Sequence, residues 1–164
     1  AGIEAGKDFI AVSPEALWPT KLWDEGRFAE LCDRIRSDLR LPVILTGADR
    51  GAALPIRERM KETYVDLAGR TTLRDLAELY RRARVVVTTD SGPMHIAAAV
   101  GTKVVAVFGP TDPARTGPYG EGHRVIRKSM ECSPCFLRDC DHKTCMGGIS
   151  VDEVFAAVQG ALSR

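Results

Sequence analysis

The segment Asp90-Ser91-Gly92-Pro93-Met94-His95 combines side chains and backbone groups that suit a phosphate. It follows the run Val85-Val86-Val87, whose β-branched residues predict a strand buried on both faces. Pro93 favours a helix start, because proline fits the first helical turn, where its missing amide costs nothing. The free amides there, at the positive end of the helix dipole, would bind a phosphate or diphosphate. An ordinary βα unit, in which Asp or Ser only caps the helix, explains the same residues equally well.

The rest of the chain is predicted to supply the sheet that positions this turn. Short apolar runs alternate with helical stretches, a pattern typical of βα repeats around a parallel sheet. We expect strands near 9–12, 43–46, 64–67, 85–89, 104–108 and 124–126, and helices near 28–39, 53–63, 73–83, 93–100 and 151–162. The fold class is therefore α/β, a Rossmann-like parallel sheet with helices on both faces. Such sheets bind ligands at the carboxyl ends of their strands. The loops there carry Lys21, Asp49, Thr71, Asp90 to His95, and Thr111 to Arg115.

Composition and charge exclude several classes of protein. With 164 residues, 45% hydrophobic and 27% charged, the chain predicts a single domain, 1–164, with a real core. Its net charge of +1 gives no reason to expect a nucleic-acid partner. No apolar run approaches the roughly 18 residues of a membrane span. The sequence lacks a Walker motif and a dinucleotide-binding glycine fingerprint, which argues against NTPases and nicotinamide dehydrogenases.

Four cysteines, Cys132, Cys135, Cys140 and Cys145, fall in a C-x2-C-x4-C-x4-C pattern within the predicted loop 129–148. This density suits a structural zinc or an iron–sulfur cluster, with His142 as a substitute ligand. Reduced thiols and disulfides fit the same spacing, although a reducing compartment disfavours the disulfides. We expect this cysteine loop to lie away from the phosphate-binding turn, and Cys32, on an apolar helix face, to belong to the core.

Four sequence blocks, in order, resemble a known family. They are Ala16–Trp23, Asp90–His95, Phe108–Pro113, and Cys132–Cys135 with the later Cys145-Met146. Together they resemble the glycosyltransferase family 9 heptosyltransferases, most closely the heptosyltransferase II type, from about Phe9 to Leu162. The resemblance implies a GT-B fold, in which two Rossmann-like domains face each other across a cleft. This chain resembles the C-terminal, ADP-heptose-binding half, with residues 1–8 as a lead-in from the N-terminal domain.

The same resemblance assigns roles to individual residues. Lys21 matches the lysine that holds the diphosphate, although a surface lysine is the default for such a residue. Asp49 stands where the family often has a ribose-binding Glu, and a turn-capping Asp explains it equally well. Thr71 stands where adenine lies against the backbone, and a helix cap also explains it. Asp90 matches the residue that contacts the heptose. The phosphates are wrapped by Ser91, Gly92, Pro93, Met94 and His95.

These roles imply a donor-binding half of an enzyme that adds heptose to the lipopolysaccharide inner core with loss of ADP. No residue of this chain matches the catalytic base, an Asp that the family places on the N-terminal domain. Transfer requires no cofactor. The implied partners are ADP-heptose, the lipopolysaccharide core acceptor and the N-terminal GT-B domain, and the implied location is cytoplasmic, peripheral at the inner membrane. A stand-alone adenine-nucleotide-binding module and a metal or redox module built on the cysteine loop are the alternatives.

Overall fold

The computed structural model describes residues 6–51 and 53–163. Its sheet has six strands in the order β3-β2-β1-β4-β5-β6, and every neighbouring pair is parallel. The strands are β1 (Ile10–Ser13), β2 (Val43–Leu45), β3 (Val65–Asp66), β4 (Val85–Thr89), β5 (Val104–Phe108) and β6 (Arg124–Arg127). The strand order reverses between β1 and β4, so a crevice opens there at the carboxyl ends of the strands.

The helices connect successive strands and cover both faces of the sheet. They are α1 (Glu25–Asp38), α2 (Leu54–Arg57), α3 (Leu73–Arg82), α4 (Gly92–Ala99), α5 (Pro113–Thr116), α6 (Thr144–Gly147) and α7 (Val151–Leu162), with a 3₁₀ turn at Pro19–Lys21. Alternate strand residues point to opposite faces. Ile10 and Val12 of β1 pack with α1 and α7, whereas Ala11 packs with α3 and α4. The expected α/β class, with helices on both faces, is confirmed.

The helix expected over 53–63 is much shorter, because a neighbouring carboxylate takes its backbone amides. After α2, the amides of Arg59 and Met60 both donate to the carbonyl of Ile56. The amides of Lys61 and Glu62 then donate to the Asp33 carboxylate of α1 instead of to helical carbonyls. A tertiary contact therefore ends α2, which the local sequence could not show.

The last helix begins as predicted. The Ser150 hydroxyl accepts from the Glu153 amide, and the Glu153 carboxylate accepts from the Ser150 amide, which completes a capping box. Near the end of this helix, Ala161 is buried and Leu162 is only partly buried. No helix within residues 6–51 and 53–163 is long and apolar enough to cross a membrane.

Candidate functional site

The turn between β4 and α4 leaves the start of the helix uncapped. Ser91 occupies the N-cap position, but its side chain makes no capping hydrogen bond. Its hydroxyl lies 3.2 Å from the Thr88 hydroxyl instead. Asp90 points into the protein and is 4% exposed. The explanation of this segment as an Asp or Ser helix cap is therefore wrong, because neither side chain caps α4.

A cavity of about 430 Å³ opens beside this turn, at the carboxyl ends of the strands. We call it the strand-end cavity. Ser91, Gly92 and Pro93 line it on the α4 side. The other lining residues are Ser13, Glu15, Ala16, Leu17, Thr46, Gly47, Ala48, Thr71, Thr72, Leu73, Leu76 and Ile96. The site thus joins an uncapped helix N-terminus to a partly apolar pocket at the strand-order reversal.

The apolar wall of the strand-end cavity comes from the start of α3. Leu73 is the first residue of α3, and its side chain is 75% exposed. Together with Leu76 it faces the cavity. Thr72, and not Thr71, caps this helix, because the Thr72 hydroxyl accepts from the Asp75 amide. Thr71 does not cap the helix, and it lines the cavity instead.

A buried ion pair lies next to the cavity. The Lys21 ammonium is 2.7 Å from a carboxylate oxygen of Asp90 and 4.3 Å from the centre of the Trp18 ring. The same oxygen accepts from the Thr111 hydroxyl at 2.6 Å. Lys21 is only 14% exposed, so the alternative of a solvated surface lysine is wrong. Neither charged residue lines the cavity, but Asp90 is joined directly to Ser91, which does.

The structure separates the remaining predicted site residues from the strand-end cavity. Asp49 is exposed, and its carboxylate accepts from the Gly51 amide at 2.7 Å, an interaction within its own loop. The Met94 side chain is fully buried in the core, and its amide donates to the Ser91 carbonyl. His95 is exposed and does not line the cavity. Only Thr71, Ser91, Gly92 and Pro93 of the predicted set line it.

Sequence reasoning missed one charged residue of the cavity, Glu15. Its side chain is half-buried, lines the cavity and accepts from the Ala48 amide at 2.5 Å. Burial raises the pKa of the Glu15 carboxyl, and the nearby Asp49 adds to the rise. Its position directly after β1 was the available signal, since that strand end lies on the same edge as the others.

The cysteine loop was expected to lie away from the predicted phosphate-binding turn. The structure instead places it against the chain segments beside that turn. The Thr20 hydroxyl donates to the Leu137 carbonyl at 2.8 Å. The Arg138 guanidinium lies 4.8 Å from the Trp18 ring, which also packs against Lys21. On the other side, the Cys135 amide donates to the Pro110 carbonyl at 3.0 Å. The loop therefore supports both chain segments that flank Asp90.

Three thiols of the cysteine loop, those of Cys132, Cys135 and Cys145, lie near one another. Burial raises the pKa of the Cys145 thiol, and nearby Cys135 and Cys132 add to it. Across residues 6–51 and 53–163, no three His, Cys, Asp or Glu side chains are arranged to hold a metal ion. A zinc or iron–sulfur site formed with Cys140 stays a prediction. Cys32 is fully buried in the core, as expected.

Comparison with known proteins decides the family. The model for glycosyltransferase family 9 (heptosyltransferase) matches residues 1–146, most of the chain. The chain belongs to glycosyltransferase family 9. The predicted family is thereby confirmed.

Relatives and solved structures of family 9 agree with this placement. Lipooligosaccharide heptosyltransferase 2 of Campylobacter jejuni is 27% identical over 97% of this chain, which covers 52% of that protein. Lipopolysaccharide heptosyltransferase 2 of Escherichia coli K12 is 35% identical over 66% of this chain and 33% of that protein. The E. coli ADP-heptose heptosyltransferase II structure matches with a TM-score of 0.84 and 27% identity over 98% of this chain and 48% of its own. The family 9 chain described here thus has the Rossmann-like fold of these GT-B enzymes and spans about half their length.

Proposed function

We propose that this family 9 chain binds ADP-heptose as the donor-site half of a heptosyltransferase acting on the lipopolysaccharide inner core. The observation that carries the proposal is the uncapped N-terminus of α4, which opens on the strand-end cavity through Ser91 and Gly92. Free amides and the positive end of the helix dipole favour the diphosphate there. The Lys21 ammonium, which Asp90 holds beside the turn, supplies a cation to the same site.

The shape of the strand-end cavity supports an adenine nucleotide. Leu73, Leu76 and Ile96 give it apolar surface, which suits the face of a base. Thr71 adds a polar segment at the start of that wall. The phosphate-binding amides lie at the other side, after β4. A nucleoside diphosphate therefore fits with its base toward α3 and its phosphates toward α4.

In the proposed reaction, an acceptor hydroxyl attacks the anomeric carbon of the heptose with inversion, and ADP leaves. Negative charge develops on the leaving diphosphate, where the Lys21 ammonium and the α4 amides would stabilise it. The buried Asp90 keeps that ammonium in place and is also our candidate for contact with the heptose. We place the catalytic base on an N-terminal GT-B domain outside these residues, because the relatives are about twice as long.

The same proposal includes the partners of the enzyme and its location in the cell. Its partners are ADP-heptose, a lipopolysaccharide core acceptor and the N-terminal domain, and the transfer itself needs no cofactor. We propose a cytoplasmic location, peripheral at the inner face of the inner membrane. The absence of a membrane-crossing helix from the described residues is compatible with that location.

The two alternative functions have less support. The relatives of the chain are heptosyltransferases, which does not favour a stand-alone adenine-nucleotide module. A metal or redox module is not favoured either, since the thiols do not form a metal-holding group within the described residues.

A glycine substitution tests the proposed phosphate site. A Cβ added at Gly92 would meet no atom within 4 Å, so Gly92→Ala should keep the fold and fill only space meant for the ligand. Gly160→Ala in α7 is the matched control, because its Cβ also meets nothing within 4 Å. By calorimetry, the unsubstituted chain should bind ADP and ADP-heptose better than UDP or NAD. G92A should weaken ADP binding while G160A leaves it unchanged, and equal ADP affinity in both variants would contradict the site.

A further inference from the structure

Two carboxylates follow neighbouring strands at the ligand-binding edge, and the structure gives them different surroundings. Asp49, after β2, is exposed and accepts from the Gly51 amide of its own loop. Glu15, after β1, is half-buried and faces the strand-end cavity. Among the described residues that line this cavity, Glu15 is the only one with a carboxylate. A ligand in the cavity therefore meets Glu15 first.

Hydrogen bonds fix Glu15 at both its backbone and its side chain. Its carbonyl accepts from the Thr89 hydroxyl at 2.7 Å, which holds the main chain against the end of β4. Its Oε2 accepts from the Ala48 amide at the end of β2. Within residues 6–51 and 53–163, no hydrogen bond to the other oxygen, Oε1, is found. One carboxylate oxygen is thus held in place while the other is available to a ligand.

The order of the strands locates this carboxylate along the proposed nucleotide. The sheet order β3-β2-β1-β4 places the loops after these strands side by side at one edge. Leu73 follows β3 and Gly92 follows β4, so the apolar wall and the phosphate-binding amides lie on opposite sides of Glu15. In a nucleotide, the ribose joins the base to the phosphates. Glu15 therefore stands where the ribose would lie.

We propose that the Glu15 carboxylate accepts hydrogen bonds from the 2′ and 3′ hydroxyls of the ribose. This inference rests on the proposed function, since it needs an adenine nucleotide in the strand-end cavity. It moves to Glu15 the task that sequence reasoning gave to Asp49. Two vicinal hydroxyls present two donors on one side of the sugar, which a carboxylate accepts well, and hydrogen bonds to a charged acceptor are the stronger kind.

The electrostatic state of Glu15 agrees with this role. Burial raises the pKa of the Glu15 carboxyl, and the neighbouring Asp49 carboxylate raises it further. The Ala48 amide lowers it only in part. An ionised carboxylate that has lost some of its water gains from new hydroxyl donors, because they replace the missing solvent.

Removal of the ribose hydroxyls from the ligand provides the test. We compare ADP with 2′,3′-dideoxy-ADP by calorimetry on the 164-residue chain and on its E15Q and E30Q variants. Gln retains an oxygen for the Ala48 amide but loses the charge that strengthens bonds from hydroxyls. Glu30 is an exposed residue of α1 and serves as the matched control. The unsubstituted chain and E30Q should prefer ADP by about tenfold or more, and E15Q should bind the two ligands almost equally.

Each outcome decides the inference. If E15Q weakens both ligands by the same factor, Glu15 only supports the Ala48 loop and the inference is overturned. If E15Q keeps the full preference for ADP, the inference is overturned as well, and a loss of preference in D49N then returns the role to Asp49. A chain that binds the two ligands equally defeats the inference but keeps the proposed function. A chain that binds neither ligand defeats both.

Discussion

The Lys21 ammonium and the Asp90 carboxylate, which come from two different loops, lie 2.7 Å apart at the edge of the proposed site. Sequence reasoning gave them separate ligand roles, one on the diphosphate and one on the heptose. The structure shows that they also hold each other, with Trp18 beneath the lysine and Thr111 donating to the carboxylate. Because Asp90 is 4% exposed, these partners take the place of the water that its carboxylate lacks.

Replacement of Lys21 should therefore weaken both binding and folding. Lys21→Ala removes a charge next to the diphosphate, which should cost about 1–3 kcal/mol of ADP binding by calorimetry. It also leaves the Asp90 carboxylate buried without a cation, which should lower the free energy of unfolding in urea by about 3 kcal/mol. Lys61→Ala, at an exposed lysine, is the control and should change neither quantity.

A second substitution separates the two effects of Lys21. In the double variant Lys21→Ala/Asp90→Asn, the buried charge is gone, so part of the lost stability should return. ADP affinity should remain low, because the cation is still missing. If the double variant regains ADP affinity, Lys21 acts on the fold alone and its proposed phosphate role is wrong.

Changes in the cysteine loop should reach the donor site. Its contacts with Thr20 and Trp18 hold the segment that carries Lys21. We expect Cys132→Ser/Cys135→Ser to lower the melting temperature and to weaken ADP binding several-fold, whereas Cys32→Ala, in the core, should lower the melting temperature with little change in affinity. Unchanged ADP affinity in the Cys132→Ser/Cys135→Ser variant would show that the loop does not support the nucleotide site.

Elemental analysis tests the predicted metal. Anaerobically purified chain should contain about one zinc ion or one iron–sulfur cluster if four thiolates serve as ligands. Replacement of Cys132 and Cys135 should then abolish the metal content. A metal-free chain that is fully folded, with all its cysteines reduced, would leave the thiols as ordinary loop residues.

The start of α7 should make stability depend on pH in the acid range. Hydrogen bonds from Lys128 and Ser150 lower the pKa of Glu153 to about 2, against about 4.3 for an ordinary glutamate. The folded pKa is depressed, so the contribution of Glu153 is complete above the unfolded pKa and is lost as the pH falls toward 2.

The corresponding variant is Glu153→Gln. At pH 7 it should lower the free energy of unfolding by about 1 kcal/mol or less, because the site is partly exposed. The difference should shrink below about pH 4 and vanish once the pH is below about 2. Thermal melts across this pH range measure it, with Glu30→Gln, at an exposed residue of α1, as the control. A difference that stays at its neutral-pH size down to about pH 2 would show that charge on Glu153 is not its source.

The 164 residues alone should not transfer heptose. In the proposed enzyme, the base and the acceptor surface belong to the other domain, and closure of the two domains positions the acceptor hydroxyl. Such positioning is worth roughly 7–11 kcal/mol of the reaction barrier. The assay is ADP release from ADP-heptose with a lipopolysaccharide core acceptor, and a full-length heptosyltransferase is the positive control. Acceptor-dependent turnover by this chain would place a base within it.

The sequence by itself determined the sheet, the family and the strand–turn–helix unit around Asp90. Buried strands such as Val85–Thr89 can be predicted from the local sequence, because runs of β-branched apolar residues favour strands that are buried on both faces. The capping box of Ser150 and Glu153 is likewise a local pattern, because the two residues stand three positions apart at the start of α7. Sequence blocks near Lys21 and Asp90 were enough to indicate family 9, which the comparisons confirm.

Only the tertiary structure decided which side chains meet. The early end of α2 depends on Asp33, and the exposure of Leu73 depends on the cavity beside it. The ion pair of Lys21 with Asp90 also joins groups that are distant in the chain. Glu15 and Asp49 both follow strands, but one faces the cavity and the other its own loop. The direction of such a side chain depends on contacts between loops that are brought together only by strand pairing. A local sequence pattern therefore does not predict it.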